Sequence, residues 1–446
     1  MANSKKLAPS NLAAYLLQRL LALNTPGRRW TLALSGGVDS VVLLDLLLQL
    51  RGSLDFSLSA IHVNHQISPH ATAWADFCTA LCAKHAVPIQ VKKVHVARRS
   101  KRGLEAAARA ARYQAFAELD ADLLLLAHHL DDQAETLLLN LLRGTGVRGA
   151  AGMPAVRGEG CPLARPLIDV PRATLTAYAK QHRLVWIEDE SNDDTAFTRN
   201  YLRHDVLPLI EPRFPAYRQT LARAAQHFSE ADTLLDDLAA LDAAHAVHAD
   251  KLNLTALAQL TPARAKNLLR AYLEIQGVPS LDTERLQEWL RQLLTARADS
   301  RVALGVAGLM LRRYRGQAWV ELDTPAPEQH WQMAWRGERE LKLPLLGGKL
   351  SFSAASGAGI SLAKLNLADV TLRLRQGGEK LKPDCRRPRK TLKHLLQDAA
   401  MPPWQRERLP LIYCGAHLVA VPGIGIDCAF HASPGEPALK ISWARV

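Results

Sequence analysis

Trp30-Thr31-Leu32-Ala33-Leu34-Ser35-Gly36-Gly37-Val38-Asp39-Ser40 carries a short apolar strand into a glycine-serine turn, and an apolar helix beginning near Val41 follows. Gly36 and Gly37 let the backbone turn tightly and approach a ligand closely. Ser35 and Ser40 offer hydroxyls, and the start of the helix points free N–H groups at the same spot, so the turn suits an anion such as phosphate. It holds no lysine and lacks the GxxxxGK[ST] spacing, which sets it apart from the common triphosphate loop whose lysine reaches the outer phosphates.

Working outward, strand and helix signals alternate to about residue 210, as in a doubly wound parallel sheet. Strands are expected at 58–63, 89–94 and 122–127, with helices at 71–84 and 104–119 between them. Ligands bind at the carboxyl ends of such strands. The turn at Ser35, the segment His62-Val63-Asn64-His65 and the pair His128-His129 all fall there.

At 446 residues the chain exceeds one core, so two or three domains are expected. Glu211-Pro212-Arg213-Phe214-Pro215 ends the first, giving a 1–212 domain. Apolar residues then recur at helical spacing to about Thr295, a helical domain over 213–322. After Asp323-Thr324-Pro325-Ala326-Pro327-Glu328, strand-like runs at 341–345, 349–353, 370–375 and 418–421 indicate a small α+β domain over 328–446. The fold class is therefore α/β, with a helical middle and an α+β end.

Lys and Arg number 56 against 43 Asp and Glu, a net +13 that calls for a polyanionic partner, with nucleic acid ahead of a membrane surface. Nine of those cations lie between Arg373 and Lys393 against Glu379 and Asp384 alone, which favours phosphate contact over a merely solvated face. Trp404, after Pro402-Pro403, reads equally as a base-stacking residue or as a core or hinge tryptophan. The start MANSKKLAPS has no signal-type apolar stretch and Asp45 breaks the run after the turn, so a cytoplasmic protein with no membrane segment is expected. The six cysteines form no CxxC pair, and Cys78 and Cys82, one helical turn apart, read as buried thiols.

After the third of those strands comes His128-His129-Leu130-Asp131-Asp132-Gln133-Ala134-Glu135-Thr136. Asp132 and Glu135 share a helix face in the first turn, where Asp131 or Asp132 also serves as a cap. Two carboxylates beside a phosphate turn need cations, either Mg2+ or an amine. In Glu105-Ala106-Ala107-Ala108-Arg109-Ala110-Ala111-Arg112-Tyr113, Arg109 and Arg112 stand one turn apart, a spacing that also fits a plain exposed face.

These segments in order resemble a known family. The turn is similar to the pyrophosphate loop of enzymes that split ATP between its alpha and beta phosphates, in adenine nucleotide alpha-hydrolase-like folds. SGGVDS, HVNH with Ser68-Pro69, EAAARAARY, AHHLDDQAET, Arg143-Gly144-Thr145-Gly146 with Gly152-Met153, Glu188-Asp189-Glu190-Ser191-Asn192 and Arg199-Asn200-Tyr201-Leu202-Arg203-His204 together resemble the bacterial tRNA(Ile)-lysidine synthetases. So do residues 377–389, Leu392-Lys393-His394-Leu395-Leu396 and Pro402-Pro403-Trp404, while the middle domain is the least distinctive.

The resemblance implies an ATP-dependent ligation in which the wobble cytosine of a CAU-anticodon tRNA(Ile) is adenylated at carbon 2 and free L-lysine displaces AMP, leaving lysidine. It implies that Ser35, Gly36, Gly37, Val38, Asp39, Ser40 and His62 hold ATP, with Asp39 on Mg2+. It assigns Asp132 and Glu135 to lysine, Arg109 or Arg112 to the adenylate, and Arg199 and Arg203 to phosphate, with Asp39, Arg109, Asp132, Glu135 and Arg203 as the catalytic set. A homodimer is compatible with it. Sulfur-transfer enzymes sharing the loop need thiols that CxxC pairs would supply, and amidotransferase ligases need a glutaminase domain that is not evident. A non-catalytic RNA-binding relative would be expected to lack Asp39, Asp132 or Glu135, and all three are present.

Overall fold

The computed structural model describes residues 11–23, 28–96, 104–158, 161–297, 300–328 and 330–445; the amino-terminal MANSKKLAPS lies outside them. The chain divides into two compact units, Met1–Asp237 and Leu238–Val446.

The first unit is built on a six-stranded sheet. Its strands are β1 (Arg29–Ala33), β2 (Ser57–Asn64), β3 (Ile89–Lys93), β4 (Leu123–Leu125), β5 (Val156–Arg157) and β6 (Leu163–Ala164), ordered β3-β2-β1-β4-β6-β5. Every neighbouring pair is parallel except β5 with β6, which closes one edge antiparallel. Burial on both faces explains the near-continuous apolar runs of β1 and β4. Leu123 and Leu125 pack with α1 (Leu12–Ala22) and α2 (Val38–Leu50) on one face, while Leu124 and Leu126 pack with Phe116 of α4 (Leu104–Ala117) on the other. The chain winds from β1 out to β3 and then returns to place β4 beside β1. That reversal makes the β1/β4 crevice a topological switch point, where such sheets take their ligands.

Helix α3 (Ala71–Lys84) coincides with the expected span. Helix α2 begins at Val38, three residues earlier than its apolar pattern indicated. Gly37 is extended, with φ −71° and ψ 161°, and serves as N-cap, so Val38, Asp39 and Ser40 become the first turn instead of part of the loop.

In the second unit, the apolar helical spacing corresponds to the carboxyl end of a long helix, Tyr217–Ala246, and to Leu254–Gln259, Pro262–Ile275 and Thr283–Thr295. The sequence reading missed a five-stranded sheet of antiparallel strands, Val247–His248, Lys251–Asn253, Gln317–Leu322, Leu309–Tyr314 and Ala303–Val306, on which the helices bury Leu268, Leu269, Trp289 and Leu293. Its two tight turns, Ala307-Gly308 and Arg315-Gly316, have positive φ at both residues, the geometry that suits the twist of a hairpin. The carboxyl-terminal part is α+β as expected, with strands Glu340–Leu343, Gly348–Ser356, Val370–Arg373 and His417–Val421 and helix Leu392–Asp398 among its elements. A Cys385–Cys428 disulfide, which the cysteine spacing did not signal, joins two of its loops. No helix among the described residues is long and apolar enough to cross a membrane.

Candidate active site

The turn after β1 is held by its own hydroxyls. Ser40 Oγ accepts from the Gly36 N–H at 3.2 Å and donates to the Gly37 carbonyl at 2.9 Å, with Ser35 Oγ 3.1 Å away. Gly36 has φ +90°, which strains any residue with a side chain, and a Cβ there would also fall 2.7 Å from Ile187 Cδ1 and 3.2 Å from Cys78 Sγ, so those side chains would have to shift. The N–H groups at the start of α2 face the crevice end of β1, an arrangement that receives phosphate. His62, on β2, is buried and its Nδ1 donates to the Leu34 carbonyl at 2.9 Å, so the ring braces the strand end that leads into the turn.

Asp39, in the first turn of α2, has one oxygen 3.6 Å from His129 Nε2. Its Oδ1 is buried and has no hydrogen-bond partner. A buried unpartnered carboxylate oxygen is costly unless a cation completes it.

Across the crevice, α5 (Leu130–Leu142) starts with a reciprocal cap: His129 Nδ1 accepts from the Asp132 N–H at 3.3 Å, and Asp132 Oδ2 accepts from the His129 N–H at 3.1 Å. The capping expectation for Asp132 is therefore met through its side chain. The His129 ring, only 2% exposed, lies among Asp39, Asp131 and Asp132, at 3.6, 3.8 and 3.4 Å. Burial works against its charge, but Asp132, Asp39 and Asp131 outweigh it and raise the pKa above the ordinary 6.5. For Asp132, burial is likewise outweighed, by His129, Arg199 and His128, and its pKa is held down to about 2.

Glu135, 2% exposed, is fully engaged. Arg203 Nε and Nη2 reach its two oxygens at 2.8 and 2.9 Å, and Arg199 Nε adds a third bond at 3.0 Å. Arg199 also donates to Thr136 Oγ1 at 2.8 Å and to the Asp132 carbonyl at 3.1 Å. The structure thus brings Asp132, Glu135, Arg199 and Arg203 together, but with Glu135 binding the two guanidinium groups that the sequence assigned to phosphate. Asp132 Oδ1 meets those groups only at 3.6 and 3.8 Å, which leaves it the less committed carboxylate oxygen.

Arg109 and Arg112 part company on α4. Arg109 is exposed and reaches the Tyr113 hydroxyl at 3.4 Å. Arg112 is half-buried, its pKa lowered by burial and by Arg109 and Arg199 against the pull of Tyr113 and Asp132, which places it within the electrostatic reach of the cluster.

Other contributors were read from the sequence only in part, as Asp131 was for capping alone, or not at all. Asp131 accepts from Arg218 Nε at 2.6 Å and from the Arg172 N–H at 2.9 Å, tying α5 to the helices Tyr217–Ala246 and Arg172–Gln181. Arg165, just after β6, is 1% exposed and touches His128. Neither arginine sits in a motif with mechanistic spacing. Trp404 resolves as a packing residue: it lies against Trp319 and Tyr314, with Arg312 over its ring.

Comparison with known proteins agrees with this arrangement. A PP-loop domain model matches residues 10–210, a TilS substrate binding domain model 252–319, and a TilS substrate C-terminal domain model 370–443. The tRNA(Ile)-lysidine synthase of Nitrosomonas europaea is 45% identical over 447 residues, covering 99% of this chain and 98% of the relative. The chain belongs to the tRNA(Ile)-lysidine synthase family. Members from Azoarcus sp. and Aromatoleum aromaticum are 41% and 42% identical, covering 94% of this chain in each case and 92% and 98% of the relatives. Membership of the tRNA(Ile)-lysidine synthase family makes the chain an ATP-using ligase of tRNA processing, with the crevice between β1 and β4 in its PP-loop domain.

Proposed function

We propose that the chain joins free L-lysine to carbon 2 of the wobble cytidine in a CAU-anticodon tRNA(Ile), in two steps at the β1/β4 crevice. In the first, the cytosine oxygen attacks the alpha phosphate of ATP and pyrophosphate leaves. In the second, the lysine amine attacks carbon 2 and AMP leaves with the oxygen. The observation that carries this reading is the facing of Asp39, with its unpartnered oxygen, and the Asp132/Glu135/Arg199/Arg203 cluster across one phosphate-binding turn.

Each residue then has a task. Ser35, Gly36, Gly37, Val38 and Ser40 hold the leaving pyrophosphate with hydroxyls and helix N–H groups, and His62 keeps the turn in place. Mg2+ fits the buried Asp39 oxygen, and when bound it spreads the charge of the phosphates. Asp39 is the residue that would hold the ion, through the oxygen that has no hydrogen-bond partner. Asp132 receives the lysine ammonium through Oδ1, while Glu135 aims Arg199 and Arg203 at phosphate. Arg112 supports the adenylate from α4, with Arg109 at the rim.

Incubation with ATP, radiolabelled lysine and unmodified CAU-anticodon tRNA(Ile) is expected to put label into RNA, and the methionine tRNA with the same anticodon is the control. No label from folded protein and folded tRNA would overturn the reading.

A further inference from the structure

Arg165 is a fully enclosed cation with no carboxylate partner among the described residues. Its Nη1 donates to the Pro154 carbonyl at 2.7 Å, its guanidinium meets the Tyr113 hydroxyl, and its Nε lies 3.2 Å from His128 Nδ1. Burying a charge without a counter-ion is expensive, and arginine has nothing to spend it on here except hydrogen bonds. One of those bonds decides the chemistry of its neighbour. A guanidinium carries only donors, so His128 Nδ1 has to be the acceptor and must carry no proton. A neutral imidazole has one proton, and it is then on Nε2.

His128 stands at the carboxyl end of β4, beside His129 and within electrostatic range of Asp132, Arg112 and Arg199. Its Nε2 has no hydrogen-bond partner among the described residues and is not a sealed orphan, so it is available to a ligand. The geometry points to Arg165 as a positioning residue that locks His128 with Nδ1 bare and Nε2 protonated, so that His128 offers a neutral N–H donor to an anionic phosphate oxygen of the nucleotide at the switch point. This rests on the ligation reading for the identity of that nucleotide. Burial, helped by the nearby Arg165, Arg112 and Arg199 charges against the pull of Asp132, brings the His128 pKa down to about 3, so the ring stays neutral at working pH. A neutral donor suits the site. The arginines already supply charge, while a directed N–H stabilises an oxygen whose charge grows in the transition state.

The test is nitrogen NMR of the full-length protein with 15N-histidine, the His128 signals being assigned by their loss in His128→Gln. The expected result is Nδ1 unprotonated and Nε2 protonated in the parent protein, and a mixed tautomer in Arg165→Met. Arg165→Met is expected to lower kcat for adenylation about 100-fold while changing KM for ATP less than about threefold, the scale of one lost donor. If Arg165→Met fails to fold, His128 variants carry the kinetic arm. His128→Gln, whose amide reaches the Nε2 position, is expected to keep activity within about tenfold, and His128→Asn and His128→Leu are expected to lose about 100-fold. A protonated Nδ1 in the parent protein, an unchanged tautomer and rate in Arg165→Met, or equal rescue by Asn and Gln would overturn the inference. Failure of the ligation reading would appear instead as an inactive parent protein with the tautomer intact.

Discussion

Burial makes a charge on Asp132 expensive, yet His129, Arg199 and His128 hold its carboxyl at about 2, below the ordinary 3.8. A carboxyl depressed in the folded state contributes stability that is complete above the unfolded value and is lost as pH falls through the folded one. Asp132→Asn is therefore expected to cost about 2 kcal/mol at pH 7, with the difference from the parent shrinking between pH 4 and pH 2. Denaturant unfolding at a series of pH values measures it, and a difference that grows on acidification would contradict the assignment. In the labelling assay the same substitution is expected to raise KM for lysine at least tenfold while altering pyrophosphate release on adenylation by less than threefold, because only the second step uses the ammonium contact. Equal losses in both steps would remove the lysine role of Asp132. Gly36 is the other residue with no latitude: Gly36→Ala adds a Cβ 2.7 Å from Ile187 Cδ1 at φ +90°. It is expected to lower the melting temperature and to weaken ATP binding together, by about 1–3 kcal/mol in stability, readable by calorimetry and ATP titration.

Among elements, the basic segment after Arg373 is held by its links to the rest of its domain. Cys385 is joined to Cys428, and the neighbouring buried Asp427 accepts from the Lys382 N–H at 3.0 Å and from Arg389 at 3.2 Å, so three bonds fix one exposed loop. A crosslink closing 43 residues removes loop entropy worth about 4 kcal/mol from the unfolded chain in the chain-entropy model. Cys385→Ser, or dithiothreitol on the parent protein, is expected to lower the unfolding temperature of the carboxyl-terminal domain and leave ATP binding unchanged; identical melting curves with and without reductant would contradict this. Which elements could be read from the sequence follows from what each depends on. Helix α3 and the strand ends carrying Ser35, His62 and His128 rest on local periodicity and turn chemistry, and these were legible. The hairpins at Ala307-Gly308 and Arg315-Gly316 were equally local, and were missed under the helical pattern before them. The bonding of Glu135 by Arg199 and Arg203, 64 and 68 residues away, and the seat of Arg165 under His128, 37 away, are long-range contacts of single polar residues with no periodic signal. So the sequence named the residues of the cluster without showing which charge neutralises which.

For the molecule as a whole, the distribution of charge links site to substrate. The net +13 is not spread evenly: residues 384–390 are exposed throughout, and within the nine-cation segment Lys380, Arg386 and Lys393 are exposed and have no ion pair among the described residues, whereas Arg375, Arg387, Arg389 and Lys390 meet Glu379, Asp384, Asp427 and Asp398. A paired cation gives up part of its attraction for phosphate, and Arg373 and Lys382, though unpaired, are only half-exposed, so the three exposed unpaired ones are the candidates for RNA contact. Replacing Lys380, Arg386 and Lys393 together by Gln removes three charges without disturbing a salt bridge or the disulfide. The triple variant is expected to bind tRNA at least tenfold more weakly at moderate salt, and the slope of log affinity against log salt is expected to fall by about 3, one per lost phosphate contact. ATP affinity should not change, because the phosphate-binding turn lies in the other unit. Filter binding across a salt series decides the matter: an unchanged slope would mean that these side chains face solvent in the complex and that RNA is held elsewhere on the chain.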